Sequence, residues 1–389
     1  MTDETKLLEA RNIVYYYEGN KTPSLDNVSI TIKKGVKTAI LGGNGAGKST
    51  FFYHLNGVVK PASGVVLYKD VPLSYKKKAK RELCSHVAVV LQNPDDQIFG
   101  QTVKEDAEYG PKNIGLPKNE VEARAKRALE QVGLWDKRDQ NSLQLSYGQR
   151  KRLSLAGALA MKPDVLIMDE PTAGLDPQMA LELMELAEQL HHSGTDIVLS
   201  THDVDLAYMW ADEIHVLRKS EKVYSGKQEG FYSDSVLSYS AGLLAPSMFQ
   251  MNSTLSALRG KDPAPYPRTE PQLIAKMVPD KPRGTMQIVP FKGAITQEII
   301  DSKKSNRIVG IYGTEVRKSV ASANASVDFF FGGLESCLSQ LLNGEDVALF
   351  CDPDCVDLME KKIAEMSQFG DPIQYQIEEP IVVEQHTEE

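Results

Sequence analysis

Glycines at 42, 43, 45 and 47 lead into Lys48, Ser49 and Thr50, and the run Gly42-Gly43-Asn44-Gly45-Ala46-Gly47-Lys48-Ser49 matches the spacing G-x-x-x-x-G-K-S. Each residue type suits phosphate. Glycine lets successive backbone N–H groups converge on phosphate oxygens without a side chain in the way. A helix opening at the end of the run adds the partial positive charge of its N-terminus. The Lys48 ammonium can neutralise β- and γ-phosphates, and the Ser49 hydroxyl can ligate Mg²⁺. Downstream, Asp164–Glu170 reads DVLIMDE, an apolar run ending in two carboxylates. Asp169 suits Mg²⁺, directly or through water, and Glu170 suits a general base that polarises an attacking water. Two acids after a strand would alone mark only a solvated strand end. Beside a phosphate loop they gain a chemical role.

The elements around these runs fit that role. Val36–Leu41, Val165–Met168, Asp196–Ser200 and Glu213–Leu217 are apolar runs of strand length, as buried strands of a parallel sheet are. Helical patterns lie between them. Ser49–Asn56 is one, and Asn119–Val132 another, with Asn119 as N-cap, Val121, Ala125, Ala128 and Val132 on one face and Gly133 as stop. The phosphate loop therefore sits between a strand and a helix, in an α/β architecture.

Beyond Tyr239 the composition changes. Ala241–Leu258 reads as helical, and Asp262–Pro271 holds four prolines, a linker or rigid turn region. From Gly284 strands (Ile308–Tyr312, Val347–Cys351, Ile373–Ile377) again alternate with helices (Leu334–Leu342, Val356–Met366), and the acidic tail Glu378–Glu389 is expected to fray. The expected division is 1–239 for the nucleotide-binding domain, 240–283 for a helical extension with its proline-rich segment, and 284–389 for a small accessory α/β domain of unassigned role.

The chemistry-bearing residues extend to a third motif. Leu145-Ser146-Tyr147-Gly148-Gln149 resembles the LSGGQ signature of ATP-binding-cassette (ABC) proteins, with Tyr147 where glycine is usual. Other members of that family's order surround it. Gln92 follows the strand Val87–Leu91 as the Q-loop glutamine does, Ala173-Gly-Leu-Asp176 stands at the D-loop, and His202 ends a strand as the switch histidine does. The resemblance spans about Leu7 to Leu217. It implies a P-loop ABC nucleotide-binding domain with a helical subdomain, binding ATP and Mg²⁺. Glu170, His202 and Gln92 would then be catalytic, with Ser49, Gln92 and Asp169 around the metal. Gly42 to Thr50 would hold the nucleotide in one subunit, and Ser146, Gly148, Gln149 and Asp176 would close over it from another. Tyr17, within Tyr15–Tyr17, matches the adenine-stacking aromatic; the alternative is that alternate tyrosines of a strand face the core. One loop and one signature cannot complete a composite site, so a second ATPase subunit is required, with a homodimer favoured.

Gln92-Asn-Pro-Asp-Asp-Gln97-Ile-Phe99 followed by Gln101-Thr-Val-Lys-Glu-Asp106 resembles the Q-loop region of energy-coupling-factor ATPases. Tyr109-Gly-Pro, Asn113–Pro117, Leu243–Pro246 and Tyr266–Thr269 extend the likeness, the last two into the extension through which those ATPases dimerise. It implies a membrane coupling subunit and a substrate-binding membrane subunit as partners, and is strongest toward cobalt- and nickel-uptake members. Vitamin uptake by the same motor is the alternative. A non-transport ABC ATPase of translation or DNA repair fits less well, since such chains usually carry two cassettes or a coiled-coil insertion.

Bulk properties agree. A net charge of -9 argues against nucleic acid as partner, and the basic run Lys76–Arg81 reads as a solvated face. No apolar run reaches the roughly 18 residues of a membrane span, and Met1–Glu9 is no secretory signal. The expected location is peripheral, at the cytoplasmic face of the membrane. The four cysteines do not form a disulfide framework. Cys337, Cys351 and Cys355 offer thiolates for a transition metal, but buried structural cysteines are the favoured reading. All the motifs and the extension end before Asp280, so the motor should work without the rest.

Overall fold

The computed structural model describes residues 5–279, 281 and 283–383. Residues up to Asp176, with Leu190–Pro246, form one compact unit, and Pro177–Gln189, with the chain from Ser247 onward, form a second. The sequence reading keeps 177–189 in the nucleotide-binding domain, whereas the contacts group it with the C-terminal region.

The first unit has two sheets. One is antiparallel: β1 (Lys6–Tyr15), β2 (Leu25–Lys33), β4 (Ser63–Tyr68) and β5 (Val71–Pro72), in order β2-β1-β4-β5. The other is built from β3 (Thr38–Leu41), β6 (Val87–Val90), β7 (Val165–Asp169), β8 (Asp196–Thr201), β9 (Glu213–Arg218) and β10 (Glu221–Gly226), in order β10-β9-β3-β8-β7-β6. Every residue of β3, β7 and β8 is buried, as in a parallel sheet covered on both faces. Their pairing is parallel, with Leu41 beside Thr201 and Asp169 beside Ser200. Residues that follow these three strands therefore emerge side by side at one end of the sheet, where open α/β sheets bind ligands.

Helices of this unit are α1 (Lys48–Leu55), α2 (Lys77–His86), α3 (Val103–Asn113), α4 (Lys118–Gln131) and α5 (Tyr147–Leu159), then α7 (Val204–Trp210), α8 (Gln228–Tyr232) and α9 (Ser235–Ser240). α3 packs on α4 and α5 as a helical subdomain. Val121, Ala125, Ala128 and Val132 are all buried, as their spacing requires, but α4 starts earlier than expected, with Pro117 in the extended cap position and Asn119 inside the first turn. The basic run lies on α2, of which only Leu83 is buried.

The second unit contains most of α6 (Pro177–His192), α10 (Ser247–Leu258), α11 (Glu270–Met277), α12 (Gln297–Lys304), α13 (Thr314–Ser322), α14 (Gly333–Leu342) and α15 (Val356–Glu365). Its parallel strands β11 (Met286–Lys292), β12 (Ile308–Tyr312), β13 (Val347–Cys351) and β14 (Tyr375–Ile377) run in order β12-β13-β11-β14. Side chains of α11, α14 and α15 join one core cluster against this sheet and those of α12 and α13 another. Expected strands over Ile308–Tyr312 and Val347–Cys351 are found residue for residue.

Two expectations change, and one left open is decided. Ala241–Leu258 is not one helix: Gly242 (φ 77°) caps α9 in the left-handed conformation, and α10 begins only after Pro246. The proline-rich segment is a rigid turn, because Lys276 Nζ donates to the carbonyls of Pro263 (2.6 Å) and Pro265 (2.8 Å). The start of the tail does not fray. Ile381–Val382 forms β15 and pairs in parallel with Phe291 and Lys292 of β11; 384–389 lie outside the described residues.

Cys337, Cys351 and Cys355 are buried in the apolar core of this sheet. Burial pushes the Cys337 and Cys351 thiols up to about 12 and that of Cys355 higher still. Among the described residues no group of three or more His, Cys, Asp or Glu is placed to hold a metal.

Candidate active site

The phosphate loop leaves β3 and enters α1. Gly47 (φ 105°) occupies a conformation that L side chains rarely adopt, and a Cβ there would stand 2.7 Å from the Ser24 carbonyl oxygen. At Gly42 a Cβ would stand 2.4 Å from the Leu217 carbonyl oxygen. No side chain caps α1, so its first N–H groups remain available to an anion. The loop walls a cleft of about 550 Å³ lined by Tyr17, Gly43 to Thr50, Gln92, Asp169 and Glu170. Tyr15 and Tyr17 meet edge-on, ring centroids 5.1 Å apart, but take different surroundings. Tyr15 packs edge-on against His54, whereas Tyr17 lies beyond β1, lines the cleft and shares a hydrogen bond with Thr50 Oγ1 at 3.0 Å. Asn20, Thr22, Pro23, Ser24 and Ser220 also line it and carry no motif signal.

Lys48 is buried at 7% exposure; its Nζ donates to the Gly42 carbonyl (2.7 Å) and lies 3.2 Å from Glu170 Oε1. The other Glu170 oxygen accepts from His202 Nδ1 at 2.9 Å. A carboxylate only accepts, so Nδ1 carries the hydrogen when Glu170 is ionised. The parallel register of β3, β8 and β7 explains how residues so far apart in sequence meet. Ser200, one residue inside the end of β8, donates to Asp169 Oδ1 (2.5 Å) and accepts from the Glu170 N–H (3.0 Å). Ser49, Gln92 and Asp169 line one cleft, a set of oxygen donors of the kind Mg²⁺ takes.

Ser146, Gly148, Gln149 and Asp176 do not line this cleft. Ser146 caps α5 through a reciprocal box with Gln149, its Oγ accepting from the Gln149 N–H at 3.3 Å and its own N–H donating to Gln149 Oε1 at 3.1 Å. The Tyr147 ring packs against D-loop Gly174, where a Cβ would come 2.9 Å from Cε1, and its hydroxyl reaches the Gln92 carbonyl at 3.5 Å. Arg150 pairs with Asp95 at 2.7 Å. Lys151, 3% exposed, donates to the carbonyls of Glu170 and Pro171, both at 3.0 Å, and desolvation lowers its ammonium to about 8. One helix thus touches the Q-loop, the strand-end acids and the D-loop.

The segment after Gln92 is held from within. Gln97 Oε1 accepts from the Leu91 N–H (2.9 Å), and Asp106 accepts from the N–H groups of Phe99 (2.8 Å) and Gly100 (2.9 Å). Thr102 and Glu105 form a capping box on α3. Burial raises the Asp106 carboxyl even though these two amides oppose it.

Comparison with known proteins identifies the family. Residues 25–173 match the ABC transporter family. The chain is 32% identical over 374 residues to the energy-coupling factor transporter ATP-binding protein EcfA2 of Methanospirillum hungatei, covering 93% of this chain and 94% of that protein. It is 42% identical over 259 residues to EcfA of Methanocaldococcus jannaschii, covering 67% and 91%. The chain belongs to the ATP-binding subunits of energy-coupling-factor ABC transporters. Solved structures agree: cbiO1 of Clostridium perfringens, described as part of the ABC transporter complex cbiONQ, aligns with TM-score 0.55 and 33% identity over 66% of this chain and all of that one. A dimeric ATP-binding cassette in a post-hydrolysis state with ADP and Pi aligns with TM-score 0.53 and 26% identity over 57% of this chain and 98% of that one. The chain is therefore an ATP-binding ATPase. The match to the Methanospirillum EcfA2 spans nearly the whole chain, including the C-terminal unit, whereas that to the Methanocaldococcus EcfA covers about two thirds of it.

Proposed function

We propose that this ATPase works as a homodimer beneath a membrane coupling subunit and a substrate-binding membrane subunit, at the cytoplasmic face of the membrane, to drive uptake of cobalt or nickel ions. The observation that carries the reading is the incomplete cleft: Gly43 to Thr50, Asp169 and Glu170 line it together, while Ser146, Gly148, Gln149 and Asp176 of the same chain do not. A second copy supplies what is missing, with ATP between the loop of one and the signature of the other. The docking surface for the coupling subunit is read at the Q-loop, where Phe99 and Tyr109 stack on each other and stand 71% and 51% exposed. Among the described residues no helix is long and apolar enough to cross a membrane, so that task falls to partners.

In the mechanism, Lys48 exchanges its carbonyl contacts for the β- and γ-phosphates. Mg²⁺ held by Ser49, Gln92 and Asp169 would neutralise the phosphate oxygens. Glu170, oriented by His202, takes a proton from the attacking water. Reconstitution of the chain with membrane coupling and substrate-binding subunits from the same organism tests the whole reading. ATP-driven uptake of labelled Co²⁺ or Ni²⁺ is expected, and uptake of a vitamin but neither ion would move the chain to the vitamin branch. Lys48→Ala should weaken ATP binding roughly ten- to a hundredfold, from the roughly 1.5–3 kcal/mol of a hydrogen bond to a charged group. Fluorescent-nucleotide titration reads this, and unchanged affinity would take Lys48 out of the site.

A further inference from the structure

Glu170 stands in a backbone conformation that its own sequence opposes. Its φ is 46°, in the left-handed region, which costs an L residue of order 1–3 kcal/mol. It also precedes Pro171, and a residue before proline is driven toward extended conformations. Relaxing to that preference would turn the side chain away from Lys48 and His202. Something must hold both ends of the residue. Its N–H is held by Ser200 Oγ at 3.0 Å. Its carbonyl is held by Lys151 Nζ at 3.0 Å and by the Ala173 N–H at 3.1 Å, and the same ammonium takes the Pro171 carbonyl at 3.0 Å, so it clamps the two successive peptides that follow Glu170.

We propose that Lys151, reaching from the signature helix α5, is a positioning residue for hydrolysis that fixes the left-handed Glu170 through its carbonyl and so keeps the carboxylate aimed at the attacking water. A buried ammonium is expensive to desolvate, and burial lowers this one to about 8; a hydrophobic side chain would fill the space at less cost but take away the ammonium from both carbonyls, leaving that of Glu170 with only the Ala173 N–H at 3.1 Å. Because Lys151 begins on the helix that Ser146 caps, the clamp also ties the signature to the base of its own subunit.

The proposal rests on Glu170 being the base, so the two are tested side by side in the full chain with MgATP. Lys151→Met should lower kcat tenfold or more while leaving the KM and Kd for ATP within about twofold, and Lys151→Arg, which keeps donors and charge, should recover much of the rate. If the Met variant is not obtained folded, Lys151→Gln carries the test with the same expected split. Wild-type kcat in these neutral variants, or a parallel loss of ATP binding and kcat, overturns the proposal. If Glu170→Gln is inactive while Lys151→Met is not, only the positioning role fails. If Glu170→Gln stays active, the base assignment fails first.

Discussion

Glu170→Gln is expected to lower ATP hydrolysis by about 10²-fold or more, the usual effect of removing a general base, while ATP still binds. The groups that would hold the nucleotide are others: the glycine loop, Lys48, Ser49, Thr50 and Tyr17 line the cleft beside this carboxylate. Glutamine keeps the shape and still offers an oxygen to His202 Nδ1, which lies 2.9 Å from the carboxylate now. It removes a negative charge that sits 3.2 Å from Lys48 and would face a triphosphate, and that change favours the bound state. The variant should therefore accumulate as an ATP-bound dimer, which size-exclusion chromatography in MgATP detects, and Lys48→Ala should give no such dimer. Hydrolysis near the wild-type rate would place the base elsewhere, with His202 the next candidate.

Arg317→Ala is expected to destabilise the second unit by about 3–5 kcal/mol, the range for leaving one member of a buried ion pair alone. Arg317 on α13 pairs with Glu185 on α6, and both side chains are only 11% exposed. Burial raises the Glu185 carboxyl above its ordinary range even with the guanidinium beside it, so without Arg317 it must protonate or draw in water. Lys362 on α15 pairs with Glu188 one turn further along α6 at 3.0 Å. Thermal unfolding of the full chain reads the loss, and the double change Arg317→Met with Glu185→Leu should recover most of it, since removing both charges leaves none unpaired. An unchanged melting temperature for Arg317→Ala would show that the pair contributes nothing. The same pairs change the view of truncation. A chain ending near residue 280 keeps every motif but leaves Glu185 and Glu188 without Arg317 and Lys362, so it is expected to be less stable rather than simply shorter.

By itself the sequence determined the nucleotide chemistry and the fold class, because those signals are local. A glycine-rich run before Lys48, two acids closing the apolar run Val165–Met168, and a signature at Leu145–Gln149 each occupy a few consecutive residues whose backbone needs dictate their types. Strand pattern was also legible where both faces are buried, as in Val347–Cys351. Helix ends were less so: Gly242 and Pro246 break a run whose other residues suit a helix. Tertiary structure decided everything that depends on register. Ser200 serves Asp169 and Glu170 only because β8 lies beside β7 with Ser200 opposite Asp169. Lys151 looks like one basic residue among Arg150–Arg152 until its neighbours are known; only α5's position beside the strand end buries it against two carbonyls. Likewise Glu185 of α6 meets Arg317, a residue 132 positions away. Serine, lysine and glutamate satisfy many surroundings equally well, so their roles are written by what the folded chain brings to them.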